Sequence, residues 1–173
     1  RANAAGALAV LDALGRATNG RLVVSGEARR RGVATVVWPG RLEEISAFPS
    51  VWLDAAHNPD GARALAGELP SIAHGPIFLV VGACADKDVP GILSALTPLA
   101  RVVVATCAPS PRALDAETLG SLFACSPGAA GCTVLVESEP LRAFARARDL
   151  ALVAGGTVVV CGSIFLVGAI RAV

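Results

Sequence analysis

Between Trp38 and Gly61 the chain reads WPGRLEEISAFPSVWLDAAHNPDG, which brings an arginine, an aspartate and a histidine into one short stretch. Pro39-Gly40 makes a turn and delivers Arg41 just behind it. Val51-Trp52-Leu53 has the apolar, β-branched and aromatic character of a buried strand, and Asp54 stands where that strand ends. Ala55-Ala56-His57 then leads to Asn58-Pro59, a side-chain acceptor followed by a proline, which predicts the cap and first position of a helix. In open α/β sheets, ligands bind where strands end and helices begin. A guanidinium offers a rigid fork of donors suited to phosphate, and an acidic residue after a strand suits a ribose hydroxyl. The chemistry these residues could do is nucleotide binding, with His57 beside it.

Further polar groups fall at successive predicted strand ends: Lys87 within Asp86-Lys87-Asp88, Arg112 within Ser110-Pro111-Arg112, and Ser163. Strand C-termini in a parallel sheet share one rim, so these groups can converge. Each also has a plainer reading. Ser163 alone is a helix cap, and Asp86-Lys87-Asp88 alone is a solvated turn. No GxxxxGK[ST] occurs anywhere, so the chain lacks the loop whose backbone amides cradle phosphates.

The elements that must position these groups alternate along the chain. Asn3–Leu14 is predicted as an alanine-rich helix closed by Gly15, and Ser25–Gly32 as a second helix capped by Ser25. Buried parallel strands are expected at 51–54, 77–82, 102–106, 133–136 and 157–161. The polar segment 41–46 is the candidate antiparallel edge strand, joined by a turn at Pro49. Helices are expected at 60–69, stopped by Pro70, and at 89–96, 115–123, 141–153 and from Ser163 to about Arg171. This alternation predicts an α/β fold: a doubly wound, mostly parallel Rossmann-like sheet of about five parallel strands plus one antiparallel edge strand, with helices on both faces.

Composition narrows the function classes. A chain of 173 residues buries one sizeable core. A net charge of +1 and no basic run longer than Arg29-Arg30-Arg31 argue against a nucleic-acid surface. Lys87 is the only lysine among the 15 cations. The 5 cysteines form no CxxC pair, and Cys84, Cys107 and Cys161 sit in or beside apolar runs. They read as buried free thiols of a reducing, cytoplasmic compartment, with no metal site. Ala151–Ile170 carries no charge and meets the length test for a membrane helix. Gly155-Gly156, the run Thr157–Val160 and Gly162-Ser163 break it into turn, strand, turn and helix, so no membrane span is expected. No signal peptide is read, and the chain opens on Arg1, so it is expected to be a fragment of a longer protein.

PGRLE followed by LDAAHNP, with 12 residues between Arg41 and Asp54, resembles the C-terminal domain of the Mur ligase superfamily, and within it folylpolyglutamate synthase/dihydrofolate synthase. The resemblance implies an ATP-dependent ligase that joins glutamate to folates through an acyl phosphate. It assigns residues 38–173 to the C-terminal domain and 1–37 to the junction helices ending the preceding ATPase domain. It implies ATP contacts for Asn3, Arg41 and Asp54, with Asn3 at the adenine unless it merely opens its helix. By the same resemblance His57, Lys87 and Ser163 hold glutamate, with His57, the catalytic candidate, nearest the reacting amine. The phosphate loop, the Mg2+ ligands, a carbamoylated lysine and the folate site are expected in the preceding domain. Folate, L-glutamate and that ATPase domain are the implied partners of a monomer. Ala55 departs from the family, where glycine is common, and Cys84-Ala85 stands where larger residues are expected. Another Mur-type ligase of the muramyl-peptide or cyanophycin kind, or a non-catalytic nucleotide-binding module, remains an alternative.

Overall fold

The computed structural model describes residues 2–173, with side chains from residue 4 onward. The chain divides into two compact units, Arg1–Trp38 and Pro39–Val173. The first holds helices α1 (Ala2–Ala17) and α2 (Gly26–Thr35). Gly15 does not end α1. The helix runs on to Ala17, and the left-handed residues Asn19 and Gly20 close it, with Gly20 N–H donating to the Gly15 carbonyl at 2.9 Å. A left-handed residue is what turns the chain back over a helix end, and here it comes one turn later than Gly15. Ser25 caps α2 as expected, accepting from Ala28 N–H at 3.2 Å.

The second unit is built on one six-stranded sheet: β1 (Glu43–Ala47), β2 (Ser50–Leu53), β3 (Ile77–Val81), β4 (Ala100–Ala105), β5 (Thr133–Val136) and β6 (Thr157–Cys161). The spatial order is β1-β2-β6-β3-β4-β5. β1 pairs antiparallel with β2 across a turn holding the cis Phe48–Pro49 bond, and all other pairs are parallel. The expected mixed sheet with one antiparallel edge is therefore the fold.

Helices α3 (Pro59–Ile72), α4 (Val89–Leu96) and α5 (Ala116–Ala124) cover one face, while α6 (Pro140–Ala154) and α7 (Ile164–Arg171) cover the other. The period-2 alternation of side chains decides which residue meets which layer. In β3, Leu79 and Val81 face α3, α4 and α5, whereas Phe78 and Val80 face α6 and α7. In β6, Val159 and Cys161 face the first layer, and Val158 and Val160 the second. Both faces are covered, which is why these strands read as unbroken apolar runs.

Two further expectations, both in the second unit, fail for physical reasons. Pro70 lies inside α3, which continues to Ile72. Its missing N–H falls in the last turn, where it removes a single i→i−4 bond, and Ala73 N–H still closes on Leu69 O at 2.8 Å. Cys84 and Cys161 are buried free thiols, but Cys107 is only half-buried: it lies past the end of β4, between the buried Thr106 and Ala108, and is itself turned partly out of the core. The uncharged run 151–170 divides as the glycines predict, with left-handed Gly155 capping α6 before β6 begins. Among the described residues no helix is long and apolar enough to cross a membrane.

Candidate active site

The strand C-termini form a continuous rim, stitched just beyond the strands by backbone hydrogen bonds. Gly162 N–H donates to Ala56 O at 3.0 Å, Gly82 N–H to Cys161 O at 3.4 Å, Thr106 N–H to Val81 O at 2.9 Å and Glu137 N–H to Ala105 O at 3.0 Å. These bonds run in the strand order, so the loop after β6 lies between the loops after β2 and β3. Gly162 makes this fit possible. Its φ is +94°, and a Cβ there would stand 2.5 Å from Gly82 O.

Each helix that leaves this rim starts on a side-chain acceptor. Asn58 accepts from Gly61 N–H at 2.7 Å, Asp88 from Gly91 N–H at 2.9 Å and Asp115 from Thr118 N–H at 2.8 Å. Glu139 accepts from Leu141 and Arg142 N–H at 3.0 and 2.7 Å, and Ser163 from Phe165 N–H at 3.2 Å. Such caps satisfy backbone N–H groups that the first turn of a helix leaves without partners.

At the β2 end, Arg41 sits in a three-residue turn with left-handed neighbours on both sides, Gly40 at φ +69° and Leu42 at φ +45°. Leu42 N–H donates to Asp54 Oδ2 at 3.0 Å, and Ala55 N–H to Gly40 O at 2.8 Å. Arg41 Nη1 lies 3.8 Å from Asp54 Oδ1. The Asp54 side chain is 11% exposed, while that of Arg41 is 47% exposed. Burial pushes the Asp54 carboxyl above its usual range, and the Leu42 N–H, the Arg41 charge and an Ala56 N–H oppose it. The guanidinium makes no hydrogen bond among the described residues, so its fork is open to a polyanion, with the carboxylate behind it. That donor set fits a nucleotide.

His57 lies in the β2–α3 loop, half-buried, with Nδ1 2.8 Å from Ala55 O. A carbonyl only accepts, so Nδ1 carries the proton and Nε2 of the neutral ring is an acceptor. Ser163 is 2% exposed and caps α7 through its oxygen, which leaves its hydroxyl proton for another partner. Lys87 and Arg112 meet on one carboxylate: Asp86 Oδ2 is 3.2 Å from Lys87 Nζ and 3.1 Å from Arg112 Nη1. The Lys87 hydrogen bond, then the Arg112 charge, hold the Asp86 carboxyl below its usual range. The Cys84–Ala113 bridge and the Leu114 N–H to Ala83 O bond (2.9 Å) tie these two loops together. Arg41, Asp54, His57, Lys87, Arg112 and Ser163 thus all stand on the one rim. Asn3 lies outside the residues whose side chains are described.

Two residues on this rim escape a reading of the sequence alone. Asp86 looks like one of two turn acids, and Glu43 like an edge-strand acid, yet each joins two other groups. Glu43 accepts from Gly40 N–H at 2.6 Å and from Arg171 Nε at 2.9 and 3.0 Å. Its position three residues after Gly40 is the only local signal of the first bond. Among the described residues, no three His, Cys, Asp or Glu side chains gather where they could hold a metal ion.

The fold is that of a Mur-type ligase domain. The family described as "Mur ligase, glutamate ligase domain" matches residues 40–164, and the chain belongs to it. Among similar curated proteins, the Mycobacterium tuberculosis dihydrofolate synthase/folylpolyglutamate synthase is 49% identical over 100 residues, which is 56% of this chain and 20% of the relative. The Escherichia coli dihydrofolate synthase/folylpolyglutamate synthase is 37% identical over 164 residues, 93% of this chain and 35% of that protein. Two solved structures share the architecture. Mycobacterium tuberculosis folylpolyglutamate synthase complexed with ADP and AMPPCP superposes at TM-score 0.79 with 38% identity, covering 86% of this chain and 35% of that one. Escherichia coli FolC in complex with DHPP and ADP superposes at 0.81 with 31% identity, covering 98% and 38%. The chain spans about a fifth to a third of the length of these curated relatives.

Proposed function

We propose that this chain is the glutamate-presenting C-terminal domain of an ATP-dependent ligase that adds glutamate to folates, with the joining of glutamate to dihydropteroate as a second reaction of the same site. The arrangement at the end of β2 carries the reading: a half-exposed guanidinium held in front of a buried carboxylate, on a turn that backbone hydrogen bonds fix in place. ATP supplies the phosphoryl group that activates the folate carboxylate, and Mg2+ would be held by the preceding domain, to which residues 1–37 lead.

The chain's own residues then bind and orient. Arg41 takes the phosphates through its forked donors. Asp54 accepts from a ribose hydroxyl with the carboxylate oxygen that faces Arg41, while its other oxygen keeps the Leu42 N–H. Lys87 and the Ser163 hydroxyl hold glutamate carboxylates. His57, with Nδ1 committed to Ala55 O, presents Nε2 as the acceptor for a proton of the glutamate amine. The domain acts as part of a monomeric cytoplasmic enzyme.

Kinetics of the full-length protein with ATP, a folate and glutamate test this. Arg41→Ala and Asp54→Ala each lower kcat/KM for ATP by roughly 30- to 1,000-fold, the usual effect of losing a charged contact in a closed site. Arg41→Lys restores only part of the loss, since a point charge lacks the fork. Wild-type kcat/KM for ATP in either alanine variant overturns the assignment.

A further inference from the structure

We infer that Glu43 is a positioning residue for the nucleotide contact: it fixes the Gly40–Leu42 turn and so sets where the Arg41 guanidinium stands. The inference rests on the nucleotide-binding reading of Arg41 and goes beyond it by naming what holds Arg41 in place.

The geometry leaves the turn few other supports. Gly40 and Leu42 both have positive φ, and Leu42 is a branched residue in a conformation that side chains rarely adopt. Such a conformation persists only where the surroundings over-determine it. Three polar contacts do so here. Ala55 N–H donates to Gly40 O and Leu42 N–H to Asp54 Oδ2, which tie the turn to the end of β2. Glu43 supplies the third through the Gly40 N–H at 2.6 Å, and its own position is fixed by Arg171 Nε at 2.9 and 3.0 Å. The carboxyl is held below its usual range, by the Gly40 N–H first and then by Arg171, so it is ionised at neutral pH. Arg171 closes α7, whose first turn is capped by Ser163, and a Cβ on Gly40 would stand 2.8 Å from Val167 Cγ1 of the same helix. One carboxylate therefore couples the Arg41 turn to the helix that starts at the proposed glutamate side of the rim.

Removing that carboxylate frees the Gly40 amide and lets the turn relax, which misplaces Arg41 without touching the glutamate contacts. Small displacements of a positioning group cost far more in rate than in stability. Two variants separate the parts of the device. Glu43→Ala removes both bonds, whereas Glu43→Gln keeps an acceptor for Gly40 N–H and loses the charge that Arg171 grips.

The test has two readouts. The first is amide hydrogen exchange at Gly40 and Leu42 in this 173-residue chain. The second is the pair of KM values, for ATP and for glutamate, in the full-length protein. Glu43→Ala is expected to speed exchange at both amides by about tenfold or more, to raise KM for ATP about tenfold, and to leave KM for glutamate within about twofold. Glu43→Gln is expected to recover most of the ATP effect. Unchanged amide exchange in Glu43→Ala overturns the inference whatever the kinetics, and so does faster exchange with an unchanged KM for ATP. Parallel changes in both KM values assign Glu43 to the scaffold and overturn it too. A wild-type full-length protein that ligates no glutamate overturns the functional reading, and this inference with it.

Discussion

Asp54 is 8% exposed, and its carboxyl is raised because burial strips water from the charged form; the Leu42 N–H, Arg41 and the Ala56 N–H offset only part of that. A carboxyl whose pKa is raised on folding contributes stability below its unfolded value, near 4, and loses it as pH rises through the folded value. At neutral pH the ionised Asp54 therefore lowers the stability of the fold. Asp54→Asn keeps an acceptor for Leu42 N–H and removes the charge, so it should raise the thermal midpoint of this chain at pH 7. The gain should vanish near about pH 3, where the wild-type carboxyl is protonated. In the full-length protein the same variant should lose ATP kinetics. A lower midpoint at pH 7 would show that the charge is structural. Glu43 behaves oppositely: its carboxyl is lowered, so its contribution is present above about pH 4 and fades as pH falls through the folded value. Glu43→Gln should thus destabilise at pH 7 and match the wild type in strong acid, which pH-dependent melting measures.

At the scale of elements, α7 and the tight corner before it join stability to the site. Gly162 has φ +94° and no room for a Cβ beside Gly82 O, at 2.5 Å. Gly162→Ala combines backbone strain with a clash against a neighbouring strand end, for a loss of about 2–4 kcal/mol. The midpoint should fall by roughly 5–15 °C in a chain of this size. A fall under about 2 °C would mean that the corner gives way easily. Ser163→Ala removes the α7 cap for about 1 kcal/mol, a fall of roughly 2–4 °C. If the hydroxyl also holds glutamate, the full-length variant should show a raised KM for glutamate with ATP affinity unchanged. His57→Ala should do likewise. A shifted midpoint with wild-type glutamate KM would leave both residues with scaffold roles only.

At the scale of the whole molecule, the 173 residues carry the rim but no GxxxxGK[ST] segment. Triphosphates are held largely by backbone amides of such a loop, and Arg41 and Asp54 alone offer one cation and one acceptor. This chain by itself should bind ATP weakly and catalyse no folate-dependent ligation. Phosphate release with ATP, folate and glutamate measures that, and glutamate-dependent release clearly above background would contradict it. How the rim is assembled belongs to the same scale. The strands, the caps at Ser25, Asn58 and Ser163 and the Arg41–Asp54–His57 stretch are legible in the sequence. Each depends on neighbours a few residues away: alternating burial, a side chain turning back on its own backbone, or a proline at a first turn. The strand order is not local. β2, β3, β4 and β6 are all short apolar runs with nothing in their composition to say which lies beside which. Only burial on two faces and the crossover through α6 place β6 between β2 and β3, and with it Ser163 between the loops of His57 and Lys87. The Glu43–Arg171 pair spans 128 residues for the same reason. The sequence determined the elements and the types of chemistry at their ends. The tertiary structure alone decided which of those ends face each other, because that choice rests on packing between segments far apart in the chain.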